Sequence, residues 1–87
     1  MTYRIEFTSA ARKQFKRLSR ETQRRLDVHI LSLASNPFPS GVQKLAGGPA
    51  LFRIRVGDYR VIYTVEHGAL VIVIVRVGHR REIYRGR

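Results

Sequence analysis

The sequence predicts an α+β domain in which two helices pack on one face of a small sheet. The sheet is expected to hold an N-terminal strand and a three-strand antiparallel meander. Two observations support this fold class. The apolar residues recur at helical spacing in the first half of the chain and alternate in the second half. The 87 residues, 44% of them hydrophobic, suffice for one core but not two, so residues 1–87 form a single domain.

The N-terminal half predicts one strand and two helices. Residues 2–7 alternate between polar and apolar side chains, which is typical of a half-buried strand. Thr8 or Ser9 can cap a first helix, and Ser19 can cap a second helix that runs to about Ser35. Residues 36–41, Asn-Pro-Phe-Pro-Ser-Gly, end the second helix, and a loop containing Lys44 follows.

The C-terminal half predicts the meander. Residues 51–56 and 59–65 alternate and are joined by Gly57-Asp58, which suits a type II′ turn. Residues 70–77 are almost all valine and isoleucine, as in a central strand covered on both faces. His67-Gly68 marks a second two-residue turn before that strand.

The charge balance indicates a polyanionic partner. Seventeen Lys and Arg oppose six Asp and Glu, and the net charge is +11. Fourteen of the seventeen are arginines, whose planar guanidinium groups bind phosphate bidentately. We therefore expect nucleic acid as the partner, with an acidic protein as the alternative.

Several classes of protein are excluded by what the sequence lacks. With no cysteine, there is no disulfide, cysteine zinc site or thiol nucleophile. The histidines are scattered, so no metal site and no cofactor are expected. The N-terminus does not resemble a signal peptide, and the longest apolar run is too short to span a bilayer. We expect a soluble cytoplasmic protein with no membrane partner.

The predicted hairpin brings like charges together. If Gly57-Asp58 is a two-residue turn, Arg55 lies opposite Arg60 and Arg53 follows on the same sheet face, away from the helices. Opposed like charges destabilise a sheet. A solvated polar face is the simplest interpretation of these arginines, but an anion bound between them would explain the pairing.

The next strand extends this cluster in the prediction. With His67-Gly68 as the turn, Arg60 lies beside Val75. The chain can then bend at Gly78, which would bring Arg80 towards the cluster and Tyr84 close enough to stack on a base. His79 is a candidate proton donor or acceptor, because imidazole exchanges protons near neutral pH.

A second basic surface is expected on the helices. Their exposed cations form either a solvated face or a set of sequence-independent phosphate contacts. The candidate RNA-binding residues outside the cluster are Arg12, Lys13, Lys16, Arg17, Arg24, Lys44 and Arg81.

An arginine cluster without metal suits one kind of RNA cleavage, in which the ribose 2′-hydroxyl attacks the adjacent phosphate. Guanidinium groups can stabilise the charge that develops on the phosphorane, which is usually the largest catalytic contribution. They are poor proton acceptors, so the acid and base are not identified by the cluster.

Three segments together resemble the RelE-type toxins, the mRNA-cleaving branch of the RelE/ParE superfamily. They are Lys44 to Gly47, Phe52 to Tyr63 (FRIRVGDYRVIY) and Val75 to Tyr84 (VRVGHRREIY). The resemblance extends over essentially the whole chain. It implies a ribosome-dependent endoribonuclease that cuts mRNA in the A-site codon without metal, inhibits translation, and is neutralised by a cognate antitoxin.

The resemblance also implies roles for individual residues. Arg53 and Arg55 match two basic residues that stabilise the transition state or act as a base. Arg60 matches the arginine that holds the phosphate. Arg80 matches an arginine proposed as acid or charge stabiliser, and Tyr84 matches a tyrosine that orients the nucleotide.

Arginine stands at positions 53 and 55 where the family often has lysine, which weakens the case for a general base there. Two other functions compete with the nuclease. One is a ParE-like toxin that binds DNA gyrase without nuclease activity, although such relatives usually lack the full arginine and tyrosine set. The other is a plain RNA-binding module, for example an inactive descendant of a toxin.

Overall fold

The computed structural model describes residues 2–46 and 50–83 and confirms the α+β class. Two helices pack on one face of a five-stranded sheet. The elements in chain order are β1 (Arg4–Phe7), α1 (Ser9–Lys16), α2 (Arg20–Ser32), β2 (Gln43–Leu45), β3 (Leu51–Val56), β4 (Tyr59–Glu66) and β5 (Val71–His79).

Side-chain caps set the start of each helix. The Thr8 hydroxyl accepts a hydrogen bond from the Ala11 amide at 3.1 Å, and the Ser19 hydroxyl accepts one from the Thr22 amide at the same distance. Ser19 was the predicted cap, and Thr8 is the correct choice of the two offered for the first helix. The second helix ends at Ser32, three residues earlier than expected.

The strands are ordered β1-β5-β4-β3-β2 across the sheet. The predicted meander of β3, β4 and β5 is antiparallel, whereas β1 pairs with β5 in parallel. The sheet is therefore mixed rather than a simple meander. At the other edge, the three residues of β2 pair with Leu51–Arg53, so Lys44 lies on a short strand and not in the predicted loop.

The core lies between the sheet and the two helices. We call the sheet face that meets the helices the helix face. Leu26, Ile30 and Leu33 pack against strand residues such as Val61 and Ile74, and none of these five is more than 1% exposed. Burial of this apolar surface is the main stabilising contribution.

Tyr63 is buried in this core, and its hydroxyl donates a hydrogen bond to the Pro37 carbonyl at 2.6 Å. Burial raises the pKa of Tyr63 from 10.0 to about 12. Above pH ~10 the unfolded chain loses a proton that the folded chain retains, so the free energy of unfolding should fall by about 2 kcal/mol between pH ~10 and ~12. Urea unfolding of wild type and Tyr63→Phe across this range measures the difference. An equal pH dependence in both proteins would contradict this prediction.

The first hairpin has the predicted register. Val56 pairs with Tyr59, Arg55 with Arg60 and Ile54 with Val61. Gly57 has φ of +61°, whereas Asp58 has a negative φ. A positive φ at the first turn position alone is characteristic of the predicted type II′ turn.

The register of β4 and β5 differs from the prediction by three residues. Arg60 pairs with Gly78 and not with Val75. Two residues of the shift arise because the turn spans residues 67–70 instead of His67-Gly68 alone. The third residue of the shift arises from a β-bulge. Tyr63 pairs with Ile74, whereas the adjacent Ile62 pairs with Arg76. Val75 is therefore the extra residue of the bulge.

Candidate functional site

Four arginines of β3, β4 and β5 lie together on the sheet face opposite the helices. In one row across the sheet Arg53 pairs with Ile62, and Ile62 pairs with Arg76. In the next row Arg55 pairs with Arg60, and Arg60 pairs with Gly78. We call Arg53, Arg55, Arg60 and Arg76 the arginine face. Its central like-charge pair is the one that the sequence predicted.

The bulge at Val75 determines which residues of β5 belong to the arginine face. An extra residue moves every later side chain of the strand to the other side of the sheet. Arg76 thereby joins the arginine face, a position that its place in the sequence did not predict. His79 is paired with Tyr59 on the helix face, and their rings meet edge to face with centroids 5.5 Å apart. His79 therefore does not face the arginines, contrary to the expected position.

Hydrogen bonds orient Arg60 and Arg53. The Arg60 Nη1 atom donates to the Gly57 carbonyl at 3.1 Å and to the Tyr59 carbonyl at 3.0 Å. The Arg53 guanidinium donates to the side-chain carbonyl of Gln43 on β2. Arg53 and Arg60 are half-buried, whereas Arg55 is exposed. The face is thus partly preorganised and open to solvent.

After β5 the chain turns back over the arginine face. The Glu82 and Ile83 amides both donate to the His79 carbonyl, at 2.8 and 2.9 Å. Ile83 is only 2% exposed and packs on Gly78. A Cβ atom added to Gly78 would lie 3.4 Å from Ile83 Cδ1. Arg76 Nη1 donates to the Ile83 carbonyl at 2.8 Å. Arg76 therefore fixes the backbone next to Tyr84, which lies outside the described residues.

Arg80 reaches the end of the cluster at the Gly57-Asp58 turn. Its amide donates to the Asp58 carbonyl at 2.7 Å, and its Nε atom forms an ion pair with Asp58 Oδ1 at 3.7 Å. This places Arg80 beside the turn that also binds Arg60. Arg81 is exposed, and its amide donates to His79 Nδ1 at 3.1 Å.

The other predicted RNA-binding residues lie away from the arginine face. Lys44 pairs with Phe52, and Phe52 pairs with Tyr63, which lies on the helix face. Lys44 therefore also lies on the helix face. The predicted cations of the two helices are exposed, and Arg12 is positioned over the Phe7 ring of β1 at 5.6 Å. We call them the basic helix surface: Arg12, Lys13, Lys16, Arg17 and Arg24.

Arg25 is a further residue that the sequence did not single out. It extends from α2 to the Gly57-Asp58 turn, where a Cβ on Gly57 would lie 2.7 Å from Arg25 Nη2. Glycine is required at position 57 for its positive φ, whereas the exposed end of the Arg25 side chain can shift away from an added Cβ. Arg25 lies on the exposed side of α2, and its contact with Gly57 depends on how α2 crosses the sheet.

Ion pairs occur at two places among the described residues. Between described residues, ion pairs join Arg80 to Asp58 and Arg4 to Glu6, and the second pair lies on the far edge strand β1. No group of three or more His, Asp or Glu side chains suited to a metal ion occurs in residues 2–46 and 50–83. No helix within the same ranges is long and apolar enough to cross a membrane. The arrangement suits binding of a phosphodiester by several guanidinium groups.

Comparison with known proteins identifies the family. A family model described as the ParE toxin of the type II toxin-antitoxin system, parDE, matches residues 5–84. Toxin RelG of Mycobacterium tuberculosis is 33% identical over 98% of this chain and 99% of its own. The mRNA interferase toxin RelE of Escherichia coli is 26% identical over 97% and 92% of the two chains.

A solved structure supports the same family. A chain of the archaeal RelE–RelB complex from Pyrococcus horikoshii superposes with a TM-score of 0.80 at 34% identity, over 94% of this chain and 99% of that one. The family match extends over nearly the whole sequence, and the relatives carry RelE names. This chain therefore belongs to the RelE/ParE superfamily of type II toxins, as a RelE-type member.

Proposed function

We propose that this toxin is a metal-independent endoribonuclease that enters the ribosomal A site, cleaves the mRNA codon there and so stops translation. The mRNA interferase relative in Escherichia coli supports a nuclease. The arginine face supports an RNA phosphate as the group that is bound. In this account the toxin acts in the cytoplasm, where translating ribosomes occur.

One observation carries the proposal, the direct pairing of Arg55 with Arg60 on adjacent strands. Like charges opposite each other destabilise a sheet by a few tenths of a kcal/mol to about 1 kcal/mol. Arg53 and Arg76 lie in the neighbouring row and raise the local charge further. A phosphate bound over this face would turn the repulsion into attraction, which gives the pairing a function.

The proposed reaction uses the RNA as its own nucleophile. The 2′-oxygen forms a bond to phosphorus while the bond from phosphorus to the 5′-oxygen breaks. The 2′-hydroxyl loses a proton and the departing 5′-oxygen gains one, which leaves a 2′,3′-cyclic phosphate and a 5′-hydroxyl. Because guanidinium groups do not accept protons at neutral pH, we propose that the arginines act by charge stabilisation and positioning.

We assign the roles along the face as follows. Arg53 and Arg55 stabilise the phosphorane charge, and Arg60 holds the scissile phosphate. Arg80, at the turn, stabilises the charge on the departing oxygen. Tyr84 orients the nucleotide as in the family. His79 takes no acid or base role in this scheme, because its ring packs on Tyr59 on the opposite face.

Two macromolecular partners accompany the mRNA in this proposal. The basic helix surface contacts ribosomal RNA through sequence-independent phosphate contacts. A cognate antitoxin neutralises the toxin, as suggested by the RelE–RelB complexes among the structural relatives. An acidic antitoxin would complement the net charge of +11.

A ParE-like toxin that poisons DNA gyrase is the second candidate, because the matching family model is described as a ParE toxin. In vitro translation of a reporter mRNA, with the 3′ ends mapped by primer extension, tests both functions. The nuclease proposal expects new ends inside A-site codons and none on the mRNA without ribosomes. Gyrase-dependent DNA breaks without mRNA ends would favour ParE-like action, and RNA binding with neither product would indicate an inactive descendant.

A further inference from the structure

A groove lies between α1 and α2, and apolar side chains line part of it. Phe7 and Phe15 line one half, with their ring centroids 5.6 Å apart, and Leu18 lines the other half. Lys16 and Gln23 line both halves, so the two halves are continuous. The Gln23 side-chain amide donates to the Leu18 carbonyl at 3.0 Å, which ties α2 to the segment after α1. We call this feature the interhelical groove.

The interhelical groove also carries positive charge. Its cations come from both helices, with Arg12 and Lys16 on α1 and Arg20 and Arg24 on α2. Asp27 is the one carboxylate among its described lining residues, and all five of these residues are exposed. The groove therefore complements a partner that presents apolar and acidic side chains together.

Two exposed aliphatic side chains extend this surface along α2. Val28 is 68% exposed and Leu31 is 62% exposed. Residues 24, 28 and 31 recur at the spacing of one helical face, so both side chains lie on the same face as Arg24. A phosphate bound to the cations would leave the aliphatic groups in water, whereas a protein helix packed along α2 would bury them. The exposed pair therefore favours a protein over RNA as the occupant.

We infer that the interhelical groove, together with Val28 and Leu31, binds an amphipathic helix of the cognate antitoxin. The apolar stripe of that helix packs on the aliphatic pair and the apolar lining, and its flanking carboxylates pair with the cations. The inference rests on the proposed function in taking an antitoxin as the partner. A second copy of this chain is the poorer occupant, because its net charge of +11 repels the same surface. Since Arg12, Lys16 and Arg24 belong to the basic helix surface, a bound antitoxin helix also excludes ribosomal RNA.

Substitution of the aliphatic pair separates antitoxin binding from toxin activity. The double variant Val28→Ser/Leu31→Ser removes the apolar contacts and keeps every cation. Surface plasmon resonance with the purified antitoxin should show an affinity roughly 100-fold weaker than that of wild type, because two aliphatic side chains are no longer buried on binding. The melting temperature should stay near that of wild type, since both positions are exposed.

Cleavage of A-site mRNA by the double variant should equal that by wild type, because neither residue belongs to the arginine face or the basic helix surface. At an antitoxin concentration that silences wild type, the double variant should still cleave. His29→Ser is the matched control, since it changes an exposed residue of the same helix that lies about 160° around the axis from Leu31. This control should bind the antitoxin as wild type does.

Several results would overturn the antitoxin site. They are equal antitoxin affinities of the double variant and wild type, equal losses in the double variant and His29→Ser, and a wild-type protein that binds no antitoxin. Normal antitoxin binding with slow cleavage in the double variant would assign the surface to ribosomal RNA instead. A free toxin that is dimeric as wild type and monomeric as the double variant would assign it to a second copy. Weakened antitoxin binding in the double variant, with no mRNA cleavage by wild type, would retain the site and refute the nuclease.

Discussion

Replacing Arg60 by alanine is expected to lower the rate of A-site mRNA cleavage by roughly two to three orders of magnitude, the usual loss when one preorganised charge stabiliser is removed. Arg60 lies at the centre of the arginine face, between Arg55 and Gly78. Its hydrogen bonds to the Gly57 and Tyr59 carbonyls direct the guanidinium along that face. Single-turnover cleavage on programmed ribosomes measures the effect.

The same variant separates a functional role from a structural one. Alanine relieves the repulsion from Arg55 but loses two hydrogen bonds, each of which contributes about 1 kcal/mol. These effects oppose each other, so the free energy of unfolding should fall by no more than about 2 kcal/mol. A large drop in melting temperature would show that Arg60 mainly supports the fold. Arg60→Lys keeps the charge and should retain more activity than Arg60→Ala.

Replacing Arg80 by alanine should have a comparable effect on cleavage with even less effect on stability. The backbone hydrogen bond to the Asp58 carbonyl survives, because alanine retains the amide donor. The lost ion pair with Asp58 is exposed and contributes less than about 1 kcal/mol. Cleavage should therefore fall by about two orders of magnitude while the melting temperature stays near that of wild type.

Arg4→Ala is the control for Arg80→Ala, since it also breaks an exposed ion pair and removes one positive charge. It should cleave at the wild-type rate. If Arg80→Ala cleaves as fast as Arg4→Ala, Arg80 has no part in the reaction and the role assigned to it is wrong.

The sequence predicted best those parts of the site whose backbone geometry depends only on residues close together in the chain. Gly57-Asp58 forms a two-residue turn, and such a turn fixes which residues of the two strands face each other. The opposition of Arg55 and Arg60 follows directly from it. The helix caps at Thr8 and Ser19 are local in the same way.

The prediction of the β5 register was wrong, because one bulged residue changes the sheet face of every later side chain in that strand. Nothing in the run of valine and isoleucine from Val71 to Val75 indicates that Val75 is a bulge. That single residue moves Arg76 onto the arginine face and His79 away from it. The short strand around Lys44 was missed because three residues give no clear alternation. Arg25 was missed because its contact with Gly57 depends on tertiary packing.

The central claim is that the arginine face promotes attack by the 2′-hydroxyl of ribosome-bound mRNA. The most direct test compares two mRNAs with the same A-site codon, one of which carries a single 2′-deoxynucleotide at the position that supplies the nucleophile. We predict that the all-ribose mRNA is cut to a 2′,3′-cyclic phosphate and that the substituted mRNA remains intact at that bond. Equal cleavage of both mRNAs at that bond, or no cleavage of either, would contradict the account.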